Sequence, residues 1–127
     1  MCTDITDSKN LRISSHPIVC YKVLVLTDDN KLITPFRECE IEFNKLIKAK
    51  DDCKEHTTLL GSGFIHSFVN IVGVYSLVDY LGNRGRKIVE CYIPPFTRYY
   101  KGVDEITGYP AYASKKIIYK DIIKSLI

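Results

Sequence analysis

The sequence predicts an α+β domain: a twisted, mostly antiparallel sheet with one main helix at about residues 67–83. Three observations carry that expectation. Apolar runs with strand-like patterning lie on both sides of the chain's centre. One central stretch repeats its apolar residues at three- and four-residue spacing. No strand–helix–strand alternation joins them, which argues against a parallel doubly wound sheet.

Residues 1–15 form a polar leader rich in Thr, Asp, Ser and Asn, expected to be loose apart from pairing at Leu11 to Ile13. The α+β domain is assigned to residues 16–127. His16-Pro17 forces an extended backbone. Ile18 to Leu26 is apolar on both faces, as a central strand is. Thr27 to Asn30 is an Asx-type turn, and Lys31 to Phe36 returns as a second strand whose end Pro35 places at an edge or bulge.

Residues 39–50 read as two short strand pieces bent at Asn44-Lys45, although Leu46, Ile47 and Ala49 would also suit a helix start. Residues 51–57 form an exposed charged loop, and Gly61-Ser62-Gly63 a flexible break. The helix follows, with Ser67 as its N-cap and Gly82 or Gly85 at its end. Its apolar stripe runs through Phe68, Ile71, Val74, Tyr75, Val78 and Leu81.

Lys87 to Ile93 is the clearest later strand, with Val89, Cys91 and Ile93 on one face and Ile88, Glu90 and Tyr92 on the other. Pro94-Pro95 ends it. A short aromatic segment, Phe96 to Lys101, and a loop over residues 103–111 precede a single final strand, Tyr112 to Tyr119. Asp121 to Ile127 is either a last helical turn or a strand end.

A chain of 127 residues fits one domain that can bury a core without disulfides or metal. Its 46% hydrophobic and 26% charged residues argue against a disordered chain. Net charge is +3, and the basic residues are scattered apart from Arg84, Arg86, Lys87 and four lysines between Lys115 and Lys124. That pattern argues against a nucleic-acid binder. Five cysteines, an odd count with no C-x-x-C, suggest neither a disulfide framework nor a zinc knuckle. Cys20 and Cys91 lie in apolar runs and read as buried thiols, in keeping with a reducing cytoplasm. The polar N-terminus lacks a signal-peptide pattern, and the apolar runs are too short to span a membrane.

No catalytic or metal signature stands out, so no catalytic residue, metal or cofactor is assigned. The Gly61-Ser62-Gly63 run lacks the Gly-Lys-Ser/Thr of a phosphate loop. His16, His56 and His66 have no zinc-ligand spacing. His66 and Ser67 fall between a glycine-rich turn and the expected helix start, where a ligand could meet imidazole and backbone N–H groups together. The plainer reading is a histidine that fixes the turn. Arg98, Tyr99, Tyr100 and Lys101 form an aromatic and basic cluster able to stack a planar ring and hold a phosphate. Tyr109, Tyr112 and Ser114 come from the following loop and could close over the same place. The plainer reading there is a strand with one Tyr inward and one outward. Glu90 alone among the carboxylates lies in a convincing apolar strand, as a poised acid or an outward-facing residue.

The order Tyr21 to Leu24, Gly63 to Phe68, a helix, Cys91 to Gly102, then Tyr112 to Ser114 resembles a group of small proteins from Bacteroides-type gut bacteria, their phages and mobile elements. The chain departs from that pattern at Ile65 and at Pro95-Phe96. The group implies a context and no activity. The layout is also similar to a shortened ADP-ribosyltransferase domain, but Ser114-Lys115-Lys116 stands where that resemblance expects a catalytic Glu. It therefore implies a non-catalytic relative that binds a nucleotide.

The combined expectation is a small cytoplasmic binding or interaction protein of a phage or mobile element. It would contact a host protein or a nucleotide-like small molecule through His66, Ser67 and the segment 98–114. The alternatives are a divergent ADP-ribosyltransferase-like enzyme and a structural or virion component. The whole site expectation needs the helix start and the tyrosine-rich segment to share one cleft.

Overall fold

Residues 5–6, 12–29, 31–33, 41–49, 64–82, 85–104 and 106–126 are described by a computed structural model. Two short strands, β1 (Ile5–Thr6) and β2 (Arg12–Ile13), precede the long β3 (Ile18–Leu26). After β4 (Leu32–Ile33) and β5 (Leu46–Lys48) come β6 (Ile65–Phe68) and the helix α1 (Ile71–Leu81). The chain closes with β7 (Arg86–Ile93), β8 (Arg98–Asp104), β9 (Pro110–Ser114) and β10 (Lys116–Ser125). These form one sheet in the order β1-β8-β9-β6-β3-β7-β10-β5, with β2 also on β8 and β4 on β3. Among the described residues every strand pair is antiparallel, and Phe43 adds a parallel bridge to Tyr119. This is the α+β class the sequence predicts.

Local chemistry explains most of the elements. The middle of Ile18–Leu26, Cys20 to Leu24, is buried or half-buried on both faces because it lies inside the sheet, with β7 along its length on one side. Beyond it, the Thr27 N–H donates to the Lys31 carbonyl (2.8 Å), and the Lys31 N–H to the Thr27 hydroxyl (3.1 Å), closing the turn toward β4. The bend expected at Asn44-Lys45 is present: Asn44 has φ 57°, between the Phe43 bridge and β5. Gly82 ends the helix at φ 94°, its N–H donating to the Val78 carbonyl at 2.7 Å.

Three local expectations are corrected. Ser67 is not the helix cap. Residues Ile65 to Phe68 pair one by one with Ser114 to Ala111, which holds them extended, and the N-cap is Asn70, whose side chain makes no cap hydrogen bond. The single final strand is two strands. Lys115 separates them, its N–H bonded to the Arg98 carbonyl (3.0 Å) and its carbonyl accepting from the Ala49 N–H (2.8 Å). The loop over 103–111 is shorter: β8 continues through Asp104 and β9 starts at Pro110. Asp104 sets that limit, since its carboxylate accepts from both the N–H and the hydroxyl of Thr107 (3.0 and 2.8 Å). The leader's end is firmly held. Buried Ser14 donates its hydroxyl to the Pro94 carbonyl (2.7 Å) and accepts from the Thr97 N–H (3.0 Å). Expectations for residues 34–40, 51–57, Gly61 to Gly63, Asn83 and Arg84 lie outside the described residues.

The β9–β10 junction dictates the shape of the sheet. Ser114 and Lys116 are two residues apart, so their Cα atoms are at most about 7 Å apart. In a flat sheet the four steps from β9 through β6, β3 and β7 to β10 would separate them by about 19 Å. The sheet must therefore curl. The curl is eased between β3 and β6, which share only the pair Tyr21–Phe68, while β3 and β7 pair along their whole length.

Two cores result. Inside the curl, Cys20, Leu24, Val89, Cys91, Ile117 and Tyr119 pack together, with Ile65 and Tyr112 reaching in from the other half of the sheet. On the outer face α1 lays Val74, Leu77 and Val78 over Val23, Phe68 and Ile88.

Candidate functional site

Strand alternation decides which predicted residues can act together. Tyr112 on β9 lies opposite Ser67 on β6 and Lys101 on β8. Ser114 lies opposite Ile65 and Tyr99, and Tyr99 lies opposite Arg12 of β2. Arg12, Tyr99, Lys101, Tyr112, Ser114 and Ser67 therefore share the inner face of the curl. His66 and Tyr100 lie opposite Ala113 and so point the other way, toward the helix side, as does Arg98 by its place in β8. One cleft cannot join His66 to Tyr99 and Tyr112, which corrects the expected convergence.

His66 is 1% exposed in the strand, five residues before the helix, and presents no open imidazole at a helix N-terminus. Tyr100 packs edge-on against Phe64, ring centroids 5.5 Å apart, and the Lys115 ammonium lies 4.3 Å from the centre of the same Phe64 ring.

The inner face has a tyrosine platform. Tyr99 and Tyr112 meet edge to face at 5.8 Å and 81°. Both are half-buried, while Arg12 and Lys101 beside them are exposed. Burial pushes the Tyr112 hydroxyl up from its ordinary pKa, Cys20 and Tyr99 add to this, and the nearby Arg12 guanidinium opposes it. Ser67 and Ser114 form the fully buried floor. The Ser114 hydroxyl donates to the Ile65 carbonyl at 3.5 Å.

Beneath the platform is a group that the sequence reading did not assemble. Lys22 is 2% exposed, on the same strand face as Cys20, with its ammonium 5.9 Å from the centre of the Tyr119 ring. Cys20 lies directly opposite Cys91, and both are buried free thiols. The available signal was Lys22 itself, a lysine two residues from a cysteine in the middle of the apolar run Ile18 to Leu26. Burial raises the Cys20 pKa, but the neighbouring Cys91 thiol, the Ser67 hydroxyl and the charge of Lys22 together outweigh it and leave the thiol below its ordinary value. Cys91 is pushed well above its ordinary value, by burial first and then by Cys20.

Among the described residues no three His, Cys, Asp or Glu side chains gather as a metal site. Glu90 is half-buried and pairs with Lys120 at 3.5 Å, on the face away from the platform. No helix among the described residues is long and apolar enough to cross a membrane. Comparison with protein-family models, with curated proteins and with solved structures gave no match to this chain.

Proposed function

We propose that this chain is a small non-catalytic binding protein of a phage or mobile element, acting in the bacterial cytoplasm, that holds a nucleotide-like ligand on the inner face of its curled sheet. The observation that carries this reading is the Tyr99–Tyr112 pair flanked by Arg12 and Lys101. Two half-buried tyrosines offer ring surface for a base, and each stacked base contributes about 1–3 kcal/mol. The exposed guanidinium and ammonium offer positive charge for the phosphates at the same edge. His66, Arg98 and Tyr100 have no part in this version of the site, because the register turns them to the other face.

Thermal denaturation with ADP-ribose, NAD or a cyclic dinucleotide tests the reading. A ligand at a hundred times its Kd adds about 2.7 kcal/mol to the folded state. The melting temperature is expected to rise with ligand concentration, and the rise to shrink in Arg12→Ala and Tyr99→Ala. No shift with any of the three probes favours a protein partner instead. Consumption of NAD would overturn the non-catalytic reading in favour of a transferase.

A further inference from the structure

We infer that Cys20 and Cys91 are a reversible redox pair, a modification site at which a peroxide closes a disulfide between β3 and β7. The register carries this inference. Cys20 is directly opposite Cys91 on adjacent antiparallel strands, so both side chains leave the same face of the sheet. Directly opposed residues in such a ladder have Cα atoms about 4.5–5.5 Å apart, within the roughly 4.4–6.8 Å that a disulfide spans. The strands need not slide for the bond to form. Two opposed free thiols in one apolar core would be expected to work as spacers only if nothing around them favoured ionisation. Here something does. The Lys22 ammonium is buried on the same face, and the Ser67 hydroxyl, buried without a conventional hydrogen-bond partner, lies beside Cys20. Both stabilise negative charge on that sulfur. Cys20, on the strand face it shares with buried Lys22, is the attacking thiolate and Cys91 the resolving thiol.

The chemistry balances with hydrogen peroxide as the oxidant. The Cys20 thiolate attacks one peroxide oxygen, the O–O bond breaks, and hydroxide leaves and is protonated to water. The resulting sulfenic acid is attacked by the Cys91 sulfur. The S–S bond forms as the S–O bond breaks, and the departing hydroxide takes up the Cys91 proton as a second water. The two thiols give up two electrons and two protons, and the peroxide becomes two waters. Both sulfurs are fully buried, so access requires local opening. The fold has a place for it. Cys20 adjoins Tyr21, the one β3 residue in register with β6, so the seam beside the thiol is held by a single pair. The dithiol stands whether or not the tyrosine platform binds a ligand.

The test uses the chain with Cys2→Ser, Cys39→Ser and Cys53→Ser, treated with hydrogen peroxide under native conditions and read by intact mass. The expected product loses about 2 Da, the two thiol hydrogens, and regains them with dithiothreitol. Peptide mapping without reduction should join the Cys20 and Cys91 peptides. Should the triple variant not fold, the same map on the unaltered chain gives the same readout. Oxygen additions without the 2 Da loss, or two thiols that both remain open to alkylation after unfolding, would overturn the inference.

Discussion

Asp104 closes the β8–β9 hairpin by accepting twice from Thr107, yet it is fully buried. Burial raises its pKa above the ordinary 3.8, and the Thr107 hydrogen bonds only partly offset this. A carboxyl with a raised folded-state pKa favours the fold when protonated. Its contribution is complete below the ordinary value and is lost as pH climbs through the raised one. Asp104→Asn keeps an acceptor oxygen for Thr107 and removes the titration. Urea unfolding from pH 3 to pH 7 should therefore show wild type gaining on the variant as the solution is acidified. A difference that is flat, or that widens toward neutral pH in favour of wild type, would contradict this assignment. Lys22 is a second residue whose meaning depends on its surroundings. At 2% exposure beside Cys20 and Tyr119, its ammonium acts on a buried thiol instead of on solvent.

The helix shows how one element was largely legible while its start was not. The apolar spacing located it, and α1 occupies residues within the expected span. Its first turn was misplaced because Phe68 fits the helical stripe as well as it fits a strand. Pairing of Ile65 to Phe68 with β9 decided the matter, and a partner 40 or more residues away leaves no mark on local periodicity. Gly73 shows the packing that results. A Cβ there would lie 2.4 Å from Cδ1 of buried Phe68, so the helix approaches β6 as closely as it does only because the side chain is absent. Gly73→Ala gains about 1 kcal/mol of helix propensity. Overpacking costs about 1–3 kcal/mol, and the net effect should be destabilising. Chemical denaturation checks this, and a more stable variant would mean that Phe68 turns aside freely. The β9–β10 division was missed for a related reason. Tyr112 to Tyr119 contains no Gly or Pro to mark a break, and Lys115 interrupts it only through backbone bonds to Arg98 and Ala49.

At the scale of the whole molecule, composition and patterning were enough for the fold class, since one amphipathic helix among strands without βαβ order leaves few other architectures. The curl was not legible. It follows from β9 and β10 being two residues apart while lying four strand positions apart, and strand order cannot be read from a single chain. The candidate site divided along the same line. Tyr99, Tyr112, Ser67 and Ser114 came together because their registers match, while His66, Arg98 and Tyr100 were turned away by the one-residue alternation that sequence proximity conceals. Arg12 joined the platform from the leader through its pairing with Tyr99. The binding account thus reduces to the two rings on the inner face. Aromatic-proton NMR during an ADP-ribose titration examines them directly. Tyr99 and Tyr112 ring resonances should move together and saturate, while those of Tyr75 and Tyr80 on the helix stay fixed; shifts confined to the helix tyrosines, or none at all, would contradict a nucleotide site there.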